Sequence, residues 1–185
     1  MATILPEFMS NLNMGNSAGP LTFLSSAANP GNITLMGPNS NLSTALYNTG
    51  IRTLINGENH TIQGAGNVTA SPLYNYGTIL ANLGTLTIQN PFPSSPVYNF
   101  GTLSAAGAGN TLVVNKQVRA MSDTNLIKSD GGKVQVYDLY GDASPVNLGN
   151  GVKSHPNLDL NLLGKINVTS GSVFNTELHS KGYFL

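Results

Sequence analysis

Leu46-Tyr47-Asn48-Thr49-Gly50-Ile51, Leu73-Tyr74-Asn75-Tyr76-Gly77-Thr78-Ile79 and Val97-Tyr98-Asn99-Phe100-Gly101-Thr102-Leu103 are three versions of one phrase. Each runs from an apolar residue and an aromatic through Asn to Gly, then into a β-branched or apolar pair. That is turn chemistry followed by a strand. The tyrosines lie 27 and then 24 residues apart. A period in this range marks a unit that cannot bury its apolar face alone and must stack on copies of itself.

Further strand signals sit between the phrases: Arg52-Thr53-Leu54-Ile55-Asn56-Gly57, His60-Thr61-Ile62-Gln63-Gly64, Ala81-Asn82-Leu83-Gly84-Thr85-Leu86-Thr87-Ile88 and Asn110-Thr111-Leu112-Val113-Val114. Short alternating strands separated by Gly-rich corners describe the rungs of a β-solenoid. Equivalent residues of neighbouring rungs are then ~4.8 Å apart. The expected columns are Tyr47, Tyr74 and Tyr98; Asn48, Asn75 and Asn99; and Gly50, Gly77 and Gly101, with the asparagine amides bonding along the axis as in cross-β stacks.

Of 185 residues, 40% are hydrophobic, enough for a core, and only 9% are charged, far below the usual quarter. Eight basic and eight acidic residues balance to zero. No basic stripe marks a nucleic-acid partner. The absence of cysteine excludes disulfides and thiolate chemistry. No run approaches the ~20 apolar residues that span a bilayer, so no membrane partner is expected. Met1-Ala2-Thr3-Ile4-Leu5-Pro6-Glu7 lacks the basic and apolar regions of a signal peptide, which leads us to expect synthesis in a cytoplasm.

Three regions differ in character. Residues 1–40 carry one charge, Glu7, and no repeat phrase, and breakers such as Asn29-Pro30-Gly31-Asn32 interrupt every apolar run. They are expected to form an extended N-terminal arm that docks on another protein through Ile4, Leu5, Phe8, Leu21, Phe23 and Leu24. Residues 41–136 hold the repetitive coils. Residues 137–185 are expected to form terminal coils and a cap, with a role in an oligomer interface. Seven of the eight Lys/Arg and six of the eight Asp/Glu lie from Lys116 onward.

Tyr76-Gly77-Thr78-Ile79-Leu80-Ala81-Asn82-Leu83-Gly84-Thr85-Leu86-Thr87-Ile88 and Ile55-Asn56-Gly57-Glu58-Asn59-His60-Thr61-Ile62-Gln63-Gly64 resemble coils of the right-handed parallel β-helix proteins, a group that includes pectate-lyase-like enzymes, secreted adhesins and phage tailspikes. The resemblance covers roughly residues 41–136. It implies an all-β fold, a right-handed parallel β-helix of about five coils with the arm at its N-terminus. It is uninformative about chemistry, because the fold hosts unrelated activities.

A β-helical lyase or glycosidase needs paired carboxylates, or carboxylates with a cation and a base, on neighbouring coils. Residues 41–115 offer only Arg52 and Glu58 as charged groups, with His60 beside them. Asp123, Asp130, Asp138 and Asp142 are the only acidic grouping, and Asp130-Gly131-Gly132 and Gly141-Asp142 read as turns. His60, His155 and His179 have no metal-ligand spacing. No nucleophile elbow, P-loop or dinucleotide fingerprint occurs. The N-x-[ST] sequons at Asn32, Asn41, Asn59, Asn67 and Asn167 are what so Asn- and Thr-rich a chain contains by chance. No catalytic residue, metal ligand or cofactor is therefore assigned.

The expected function is non-enzymatic: a virion structural protein of the phage capsid decoration (cement) or spike type, most similar within the group to tailspikes. It is expected to be a homotrimer that binds a major capsid or other virion protein through the arm, and a host-surface glycan is a further candidate partner. The alternatives are a secreted bacterial adhesin fragment, placed outside the cell or at its surface, and a carbohydrate-binding or carbohydrate-cleaving β-helix protein.

Overall fold

The computed structural model describes residues 7–8, 12–13, 20–46, 50–89, 95–149, 152–154 and 161–168. Among them the chain is all-β, without helix, and its strands make one long parallel sheet of the kind a β-solenoid has. The chain visits three faces in a fixed order, and each face is a stack of parallel segments from successive passes.

On the first face the register joins Leu21, Leu54, Leu73, Val97, Val118, Leu139 and Leu162 in one series. On the second it joins Ile33, Ile62, Ile79, Leu103, Ile127, Leu148 and Val168. On the third it joins Leu42, Val68, Ile88, Val114 and Val136. From Leu42 to Val136, and from Leu54 to Leu139 and Ile33 to Leu148, every member is at most 5% exposed. The two-residue period of a strand sends these residues inward and their neighbours outward. Burying an aliphatic side chain stabilises by about 1.5–3 kcal/mol, and each pass contributes roughly one to each face.

The stack extends further towards the N-terminus than the repeat phrase indicates. Leu21–Phe23 pairs with Leu54–Asn56, and Gly31–Ser43 pairs with His60–Thr69. Ile33 and Leu35 are core residues, so residues 20–40 are a pass of the stack and not an arm extended away from it. The breakers mislead because Asn29-Pro30-Gly31 only links one face to the next. Of the six arm residues, Leu21 and Phe23 pack against the core, Leu24 is 82% exposed and Phe8 pairs with Leu35; Ile4 and Leu5 lie outside the described residues. Residue 137 does not end the pairing either: strand Lys133–Leu148 lies beside Thr111–Ala120 on both sides of it, with a one-residue register shift between Val136 and Asp138.

The first repeat phrase is not a rung in register with the other two. Ala45–Leu46 and Gly50–Ile51 form a small antiparallel hairpin, with Gly50 opposite Leu46. Tyr47 and Asn48 lie outside the described residues. The segment beneath Leu73-Tyr74-Asn75 is Leu54-Ile55-Asn56. Leu73 and Val97 are 2% and 1% exposed; they are core residues and unavailable as outer flanks of a trimer.

The link from the first face to the second varies in length. Residues 57–60 make it after Asn56, Tyr76-Gly77 after Asn75, Phe100-Gly101 after Asn99, and residues 121–125 after Ala120. The two short links lie flat on the coil before. Tyr76 and Gly77 both donate their N–H to the Asn56 carbonyl, and Phe100 and Gly101 to that of Asn75. A Cβ on Gly77 would meet the His60 and Gly57 carbonyl oxygens, and one on Gly101 those of Gly77 and Tyr76. Backbone packs on backbone there, and only glycine fits.

Candidate functional site

The repeated polar and aromatic residues gather around this first corner. Asn56, Asn75 and Asn99 point inward and are fully buried. Asn56 Nδ2 donates to Asn75 Oδ1 at 2.8 Å, and Asn75 Nδ2 donates to Asn99 Oδ1 at 2.9 Å. The second hydrogen of each of these two amides goes to the backbone at the start of the next second-face strand, Thr78 O or Thr102 O, at 3.1 Å. Asn99 Nδ2 ends the chain on Gly101 O at 3.1 Å. These carbonyls fix which side of each amide is nitrogen, so Oδ1 of Asn75 and of Asn99 faces the earlier coil.

The ladder begins at His60. Its Nδ1 lies 2.7 Å from Asn56 Oδ1, which can only accept, so the ring donates from Nδ1. His60 is 6% exposed and stacks on Phe23, with ring centroids 5.0 Å apart. Burial holds its pKa below the usual 6.5, because a charged imidazolium would lose its hydration there.

Outside the corner run two aromatic columns. Tyr74 and Tyr98 stack at 4.7 Å, and Arg119, next in register, lies 5.3 Å from the ring centre of Tyr140. Tyr76 and Phe100 stack at 4.3 Å with their planes 17° apart. Each such pair is worth about 0.5–1.5 kcal/mol beyond its buried area. Of the nine ladder residues expected from sequence, Tyr74, Asn75, Gly77, Tyr98, Asn99 and Gly101 are brought into columns. Gly50 is not, and Tyr47 and Asn48 are outside the described residues.

Unequal links shape the surface. The turns at Glu58-Asn59 and at Ser122–Thr124 stand out on either side of the two short links. Between them lies an open notch of about 490 Å³ lined by Glu58, Asn59, Tyr76, Phe100, Ser122 and Thr124. Ser122 Oγ donates to Phe100 O at 3.0 Å and lies 2.9 Å from Thr124 Oγ1, which ties the upper turn to the floor. Glu58 is exposed and has no ion-pair partner among the described residues. Nothing in the repeat phrase signals this notch, because its walls come from links that break the repeat.

The other titratable residues are dispersed. Arg52 and Glu58 lie beyond opposite ends of strand Leu54–Asn56, so the expected Arg52–Glu58–His60 grouping is split. Asp130 pairs with Lys128 at 2.8 Å. Lys116 is 5% exposed; its Nζ donates to Ser95 O at 3.4 Å, and burial lowers its pKa to about 8. No cluster of three metal-ligating side chains occurs among the described residues, while His155 and His179 lie outside them.

A second asparagine series, which the repeat phrase does not announce, runs through later coils. Asn125 is 1% exposed, its Oδ1 accepts from Asn147 N, Asn147 Nδ2 donates to the Asp123 and Asn125 carbonyls, and Asn167 Nδ2 donates to Asn147 Oδ1. Compared with protein-family models, curated proteins and solved structures, the chain matches none.

Proposed function

We propose that this chain is a non-enzymatic structural protein of a virus particle, a phage capsid decoration or spike protein. Its coils wind as a right-handed parallel β-helix, about five of them regular, and project from the particle as a homotrimer. The N-terminal segment that includes Ile4 and Leu5 docks on a major capsid or other virion protein. The chain is made in a host cytoplasm and ends in the virion.

One observation carries this reading: the recurring polar and aromatic side chains are satisfied by their own copies along the stack axis. Asn56, Asn75 and Asn99 bond to one another, and Tyr74 stacks on Tyr98 and Tyr76 on Phe100. Groups used in this way stiffen a shaft. A repeat selected for chemistry would aim the same residue types at a shared substrate position.

The test is to raise antibodies to the purified protein and label intact particles from the source of this chain, with light scattering on the free protein. Labelling on shell or tail, together with a mass of three chains, is the expected result. Absence of the protein from purified particles would sink the reading.

A further inference from the structure

We propose that the notch between the Glu58-Asn59 and Ser122–Thr124 turns is a docking point for an arginine side chain of a partner protein. The inference stands on the notch alone and does not rest on the virion reading.

Charge is sparse along this stretch. Between Arg52 and Lys116 the chain carries a single ionised side chain, Glu58, and that carboxylate has no ion-pair partner among the described residues. It stands at one wall of an open cavity whose floor is aromatic. A lone carboxylate beside aromatic rings asks for a cation, since both the formal charge and the negative face of a ring attract one.

The rings are stacked along the axis in the order Glu58 turn, Tyr76, Phe100, Ser122 turn. Tyr76 covers one face of Phe100 and keeps its other face towards the Glu58 turn. Tyr76 is 39% exposed, and its place is fixed by its N–H bond to Asn56 O at 2.8 Å. A flat cation can therefore lie against a ring and meet the carboxylate in one pose.

Guanidinium suits this site better than ammonium. It is planar, stacks on rings, and donates two parallel N–H bonds to a carboxylate. A remaining N–H group can meet the Asn59 amide oxygen, which is exposed on the same wall as Glu58. An anionic partner would be repelled by Glu58. A neutral saccharide could use the rim and the rings but would gain nothing from the charge, which separates the two chemistries experimentally.

The full chain, isotopically labelled, would be titrated by NMR with a blocked Gly-Arg-Gly peptide. The comparators are the same peptide with neutral citrulline, the same peptide with glutamate, and maltotriose. Shifts confined to Glu58, Asn59, Tyr76, Phe100, Ser122 and Thr124 are expected with arginine. Affinity should drop at least tenfold with citrulline or in Glu58→Gln, and severalfold in Tyr76→Leu. Unchanged amide shifts of Val114 and Val136, core residues on the third face, report that the variants remain folded. Equal binding of citrulline, an unaffected Glu58→Gln variant, arginine shifts mapping elsewhere, or no arginine binding at all would overturn the proposal. Preferential binding of maltotriose would reassign the notch to saccharides.

Discussion

The corner between the first and second faces is built in two ways. After Asn75 and Asn99 the link is two residues long, and the interior position before it is asparagine. After Ala120 the link is five residues long, and the interior position is alanine. The difference lies in who satisfies the turn. A two-residue link has no side chain of its own facing its inward carbonyls, so an amide from inside the stack must reach Thr78 O and Thr102 O. The five-residue link brings Asn125, whose buried amide accepts from Asn147 N and donates to Ser122 O. Buried backbone groups need partners in either case; the short corner recruits them from the core, the long corner from itself.

The strongest way to break the short corner is Gly101→Ala. Its Cβ would meet the Gly77 and Tyr76 carbonyl oxygens of the coil below, and backbone cannot swing aside as a side chain can. A loss of about 4 kcal/mol or more is expected, in the exceptional range for one substitution. The same change at Gly107, which has a positive φ but lies exposed on another corner with only the Asn110 amide nearby, should cost about 1 kcal/mol. Urea denaturation of the two variants measures the contrast, and equal losses would contradict it.

The next effect separates the two amide series. Asn75→Leu removes the bonds to Asn99 Oδ1 and Thr102 O and leaves Asn56 without its partner above. Orphaned buried polar groups make this worth about 2–3 kcal/mol. Asn125→Ala takes one partner each from Ser122 O and Asn147 N, which lie half-buried beside the exposed Asp123 and Thr124, and about 1 kcal/mol is expected. Reversal of this order in denaturation midpoints would mean that the inner ladder is not what holds the short corners.

The smallest effect is a pH dependence at the ladder's lower end. His60 has its pKa lowered by burial, so the folded state stays neutral at a pH where the unfolded chain takes up a proton. The unfolded state then binds more protons, and stability falls as pH drops below about 6.5. Above that value the contribution is complete. In His60→Gln the slope below about pH 6.5 should flatten, which denaturation curves recorded across that range would reveal.

Much of this corner is legible in the chain. Leu73-Tyr74-Asn75-Tyr76-Gly77 and Val97-Tyr98-Asn99-Phe100-Gly101 are in register one above the other, because each of their residues has a fixed direction on a strand and a fixed neighbour in the stack. The same reasoning picks Asn48 where Asn56 sits. The two compete because Asn-x-Gly and Asn-Gly both suit a turn. The deciding signal lies downstream of the asparagine. Thr61-Ile62 matches Thr78-Ile79 and Thr102-Leu103, whereas Ile51-Arg52 after Gly50 does not. Residues 20–40 look like an arm only when turn residues are weighed above the alternation of Ile33 and Leu35. The notch is beyond sequence reasoning, since Glu58 and Thr124 are 66 positions apart and meet only through stacking.

The inner ladder also has a direction. The amide oxygens of Asn75 and Asn99 face the coil made earlier, and the Asn56 and Asn75 Nδ2 hydrogens face the coil made later. During synthesis Asn56 emerges before Asn75, and Asn75 before Asn99. A completed pass thus displays an amide donor, already oriented by His60 beneath it, to the asparagine that arrives about twenty residues later. Hydrogen bonds in a row polarise one another, so each docking strengthens the donor for the following one. Each completed coil therefore presents the next one with an oriented donor at its corner.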